Sequence, residues 1–116
     1  MTKNMTKEKE IQRTLRTLGV NGSYLGFYQT SFAVKRVMEN ELMLIYISKG
    51  LYVETAARFQ TSVACVERNI RTVIQIIWEY GDRELLEEMA EKKLERKPRN
   101  VEFLDMLARY MRDQQQ

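Results

Sequence analysis

In the segment VACVERNIRTVIQIIWEY, residues 63–80, apolar side chains recur three and four positions apart. Val63, Val66, Ile70, Val73, Ile74 and Ile77 therefore gather on one face of a helix that turns about 100° per residue. A half-buried strand needs every second residue apolar, and this segment does not supply that. A helix with one apolar face must lay it against another layer. No other part of the chain alternates like a strand, so that layer is made of helices.

The same spacing marks the neighbours. Ile11, Leu15 and Leu18 define a helix that Gly19 is placed to end. GVNGSYLGF, with three glycines, is a connection. Phe27, Val34, Val37 and Met38 point inward from a helix over about Tyr24 to Met38. ENELMLIYISKG reads as a further helix, apolar on nearly every side and so buried, closed by Gly50. LYVETAARF is a short helix and QTS its turn, with Ser62 as N-cap of the helix over 63–80. That helix stops at Gly81. DRELLEEMAEKKLERK starts acidic and ends basic, as a helix dipole favours. Pro98 breaks the chain, and Asn100 is placed to cap a last helix carrying Val101, Leu104, Leu107 and Met111. The expectation is an all-α fold of about six helices with a helix-turn-helix embedded at about residues 51–80. Residues 1–10 read as a polar N-terminal tail and residues 11–116 as one helical domain.

Composition narrows the function. At 116 residues, 44% apolar and 30% charged, the chain suits one domain with a modest core. There is no histidine and a single cysteine, Cys65. Serine-histidine and cysteine-histidine catalysis, histidine-rich metal sites and an internal disulfide are thereby excluded. Nothing points to an enzyme, a cofactor or a metal. The start MTKNMTKEKE has no apolar signal region, and the run LMLIYI is far shorter than the roughly 20 residues of a membrane span. A cytoplasmic protein with no membrane partner is expected. The net charge of +3 is compatible with a polyanionic partner without demanding one.

The outer face of the 63–80 helix carries the functional signal. Ala64, Arg68, Arg71 and Gln75 form a stripe nearly opposite the apolar face. Cys65 and Thr72 flank it on one side, and Glu67 lies toward the core boundary on the other. Arginine pairs with guanine, glutamine with adenine, and a carboxylate accepts from cytosine. Small residues allow close approach, and Arg68 and Arg71 lie in the first turns, where a recognition helix meets base edges. The bases would be met by Glu67, Arg68 and Arg71. Thr61, Ser62, Thr72 and Gln75 are further candidates for phosphate or base contacts. The plainer alternative is a solvated face with a Glu67–Arg71 pair worth roughly 0.2–0.5 kcal/mol. Trp78, the tyrosines and the methionines read as core and boundary residues. Lys92, Lys93, Arg96, Lys97 and Arg99 either meet phosphates or form a solvated helix end, and the second is the ordinary case.

ARFQTSVACVERNIRTVIQIIWEYG resembles the DNA-binding effector domain of the stage zero sporulation protein A family. That family's pattern is close to F-N-T-T-x-S-R-V-E-R-x-I-R-x-x-I-x-x-x-W-x-x-G. Phe59, Thr61, Val66, Glu67, Arg68, Ile70, Arg71, Ile74, Trp78 and Gly81 hold matching places. KPRNVEFLDM resembles the family's K-P-x-N-x-E-F-I-x-M, and the likeness runs from about Ile11 to Arg112. It implies six helices, binding to short boxes of double-stranded DNA, and tandem pairing of two copies on DNA. It also implies contacts with the sigma factor of RNA polymerase. In the family an arginine-x-glutamate-arginine cluster faces the bases; Glu67 and Arg68 carry over, and Arg71 matches the next arginine. Cys65 stands where the cluster has its first arginine. The stretch between Gly81 and Pro98 is about three residues shorter than the family's and more charged. The length leaves no room for a receiver domain, so a stand-alone effector associated with the nucleoid is expected. The competing expectation is a helical protein-interaction module that modulates a related regulator or polymerase without specific DNA binding.

Overall fold

The computed structural model describes residues 3–114, and these contain six α-helices and no strand. They are α1 (Lys3–Leu18), α2 (Leu25–Glu39), α3 (Tyr52–Arg58), α4 (Val63–Tyr80), α5 (Arg83–Ala90) and α6 (Asn100–Gln114). Helix α2 is the hub and packs against α1, α4 and α6. The periodic residues supply the core: Ile11, Leu15 and Leu18 of α1, Phe27 and Val34 of α2, and Phe103, Leu104 and Leu107 of α6 are all fully buried. The whole apolar face of α4 except half-buried Val63 joins them.

Two glycine contacts set the helix positions. A β-carbon on Gly26 would stand 2.4 Å from the carbonyl oxygen of Asn69, so α2 and α4 touch backbone to backbone. Beside this contact the Asn69 amide donates to Gln29, fully buried in α2, at 3.0 Å. Gly19 ends α1 with φ 119, and a β-carbon there would lie 2.8 Å from Cα of Gly81. The Asp82 N–H then donates to the Leu18 carbonyl at 2.9 Å, joining the ends of α1 and α4.

Four expectations need correction. Helix α1 already begins at Lys3, inside the stretch read as a polar tail; Met1 and Thr2 lie outside the described residues. ENELMLIYISKG is not a buried helix. Asn40 leaves the helical region and accepts from the Leu42 N–H at 3.0 Å, starting a 3-10 turn, Glu41–Leu44. A π-helical turn, Ile47–Leu51, then runs through Gly50 straight into α3. Leu42, Ile45 and Tyr46 are left 57%, 70% and 62% exposed. The charged helix after Gly81 stops at Ala90, where Glu91 turns left-handed at φ 59. Finally, Asn100 is not the cap of α6. Arg99 holds that place, and the Glu102 carboxylate reaches back to accept its N–H at 2.8 Å, the return half of a capping box. Asn100 is thereby released for other partners, and Val101 turns outward, 36% exposed.

Candidate nucleic-acid interface

Helix α3 ends in a tight reversal that aims α4. Gln60 adopts a left-handed conformation, φ 54. The Thr61 N–H donates to the Ala56 carbonyl at 2.9 Å and the Gln60 N–H to Ala57 at 3.3 Å, the double bond of a Schellman ending. Two residues later Ser62 caps α4, its hydroxyl accepting from the Cys65 N–H at 3.1 Å. The roles expected of QTS and Ser62 are thus seen in the hydrogen bonds. Ala56 is buried where the helices cross. Phe59 is half-buried and meets Phe32 of α2 edge-on, with ring centroids 6.1 Å apart. Glu54 of α3 accepts from Arg36 of α2 at 2.8 Å, which raises the Arg36 pKa and ties α3 to the hub.

On the far side of α4, Ala64, Glu67, Arg68, Arg71 and Thr72 are exposed. Among the described residues the Arg68 guanidinium donates only to the Cys65 sulfur, at 3.3 Å. Arg71 pairs with Glu67 at 2.7 Å, both side chains about half exposed. Such a pair is worth roughly 0.2–0.5 kcal/mol, whereas a bidentate base contact supplies about 1–3 kcal/mol of discrimination. The Arg71 guanidinium is therefore held loosely. Thr72, also exposed, bonds back to the Arg68 carbonyl at 3.0 Å. Ser62 is exposed and Thr61 partly so, both beside Cys65. Their hydroxyls, Ser62 first, hold the Cys65 thiol down to about 7, with Arg68 adding to the effect.

Gln75 departs from this group. It is half-buried, its amide donates to Glu79, and its oxygen accepts from Lys97. Lys97 belongs to the segment ahead of α6, which folds back alongside α4. Asn100 fixes that segment by donating to the Tyr52 hydroxyl at 2.9 Å and to the Glu67 carbonyl at 3.0 Å. Sequence spacing did not reveal this strut, because its partners lie 48 and 33 residues away. The only hint was an asparagine following Pro98. At the other end of α4, Arg83 lies 3.4 Å over the Trp78 ring and donates to the Trp78 carbonyl.

A small all-helical domain that braces one helix from behind and leaves its cationic outer face clear has the form of a DNA-binding effector domain. Residues 11–111 match the family described as Sporulation initiation factor Spo0A C terminal. The chain belongs to that family, a family of DNA-binding effector domains of sporulation regulators. Among the described residues no helix is long and apolar enough to cross a membrane.

Proposed function

We propose that the chain is a sequence-specific transcription regulator that binds double-stranded DNA through a helix-turn-helix made of α3 and α4. Arg68, Arg71 and Glu67 meet the bases. Cys65, Thr61, Ser62 and Thr72 line the approach to the groove. Gln75, held by Lys97 and Glu79, supports that face from the side. The observation that carries this reading is Arg68: exposed, opposite the buried face, and, among the described residues, restrained only by a thiol. The domain acts in the cytoplasm at the nucleoid and pairs in tandem on its box. Selection of bound duplexes from a random pool, followed by salt titration of the enriched box against a scrambled one, tests it. An enriched box with a clear preference over the scrambled duplex is expected. No enrichment would sink the reading.

A second reading has its own support. Leu42, Ile45 and Tyr46 expose an apolar ridge on the turns before α3. An exposed apolar ridge is a surface a protein partner can cover, and we take the sigma factor of RNA polymerase, which the family resemblance implies as a partner, for its occupant. Retained DNA binding with loss of transcription in Ile45→Glu would favour it. So would polymerase association without any selected box, which would leave an interaction module.

A further inference from the structure

A cleft opens between the turns before α3, the side of α4 and the segment ahead of α6. Ser48, Tyr52, Glu67, Arg71, Lys97 and Arg99 line it. Three of the six are cations and one is a carboxylate already paired with Arg71. The geometry of the lining is fixed. Pro98 is buried between the two basic residues. Asn100 ties the next position to α3 and α4 at once. Because the Tyr52 hydroxyl accepts from Asn100, its own O–H remains free to donate. The Arg99 side chain is 72% exposed, with a single long contact to Glu102 at 3.4 Å. Glu102 itself is shared with Arg96 at 3.1 Å and with the Arg99 N–H, so it neutralises Arg99 incompletely.

The position of the cleft matters as much as its charge. It adjoins Arg71 and Glu67, on the outward flank of α4. A helix lying in a major groove is bordered by sugar-phosphate strands, and contacts to those strands fix its register. We propose that this cleft seats a phosphodiester of the strand bordering the groove that α4 enters. Lys97 and Arg99 supply the charge, Ser48 and Tyr52 supply hydroxyl donors, and Asn100 positions the basic segment against α4. The proposal rests on the DNA-binding reading above.

The test is a salt titration of the full chain on the enriched and scrambled duplexes between about 50 and 200 mM. Each phosphate contact contributes about 0.9 to the slope of log affinity against log salt. Arg99→Ala is expected to flatten the slope by about that amount, so affinity falls roughly 3.5-fold less across the range. Lys97→Ala with Arg99→Ala flattens it by about the same single contact, because both cations serve the one phosphodiester. The preference for the enriched over the scrambled duplex stays unchanged, and Arg99→Lys keeps the wild-type slope. Because Arg99 is exposed, its variant reports even where the double variant folds poorly. Unchanged slopes with intact DNA binding would overturn the phosphate seat alone. A wild type that binds no DNA would overturn it together with the reading it rests on. Inorganic phosphate is expected to displace DNA no better than chloride at equal ionic strength. Stronger displacement by phosphate that vanishes in Arg99→Ala would assign the cleft to a free anion and overturn the proposal.

Discussion

The Arg68 guanidinium donates to the Cys65 sulfur, one turn back along α4, at 3.3 Å. The thiol also faces the hydroxyls of Ser62 and Thr61 in the turn, and together these bring its pKa from 9.0 to about 7. Near neutral pH a large share of Cys65 is therefore thiolate, the reactive form. Alkylation by iodoacetamide, followed by mass spectrometry, should rise with a midpoint near pH 7. Ser62→Ala should move that midpoint upward, since Ser62 is the largest cause. A wild-type midpoint at the ordinary value of 9.0 would mean that the hydroxyls do not reach the sulfur.

Arg68→Ala should cost sequence discrimination more than general affinity. One bidentate contact accounts for about 1–3 kcal/mol against a wrong base. Binding to arbitrary sequence comes mainly from phosphates and should fall less. The check is the affinity ratio between enriched and scrambled duplexes at matched salt. A ratio equal to that of the wild type removes Arg68 from the base contacts.

Gly26→Ala should destabilise the fold although alanine is the better helix former. Propensity favours the change by about 1 kcal/mol. The new methyl would stand 2.4 Å from a carbonyl of α4, a group that cannot rotate away. Overpacking of this kind costs about 1–3 kcal/mol, more where backbone must shift. A lower urea midpoint at unchanged m is expected. An unchanged or higher midpoint would show that α2 and α4 part without cost.

Glu102 should make the protein acid-sensitive. The Arg99 N–H, then the Arg96 guanidinium, lower its pKa from 4.5 to about 2. Ionised Glu102 thus favours the folded chain. Its contribution is whole above the unfolded value of 4.5 and is lost as pH falls through about 2. Urea midpoints measured over that window should fall less steeply in Glu102→Gln. Parallel curves for the two proteins would show that the carboxylate does not hold the start of α6.

The helices were legible wherever apolar residues marked a single face, as Val66, Ile70 and Ile77 do on α4. The turn at Gln60 and the cap at Ser62 were legible because their chemistry is local. ELMLIYISKG was not, because a run apolar on every side carries no direction. Asn40 closes on the Leu42 N–H there and diverts the chain into two tight turns. The end of α5 was hidden for a related reason: Glu91 turns left-handed without a glycine. At the candidate site, the wheel placed Arg68 outward but could not foresee that Lys97 holds Gln75 from another segment. Periodicity describes one helix at a time and says nothing of what folds back beside it.

Where Gly26 meets Asn69, α2 stands against the backbone of α4, with the Val73 side chain beside the contact. Side chains at a helix crossing act as shims that successive substitutions can resize, whereas the Asn69 carbonyl is backbone and keeps its size whatever side chain stands there. Position 26 is therefore closed to gradual enlargement. Under the proposed DNA-binding function, a change of box falls to the outer strip, from Ala64 to Thr72, while the Gly26 contact behind it is kept.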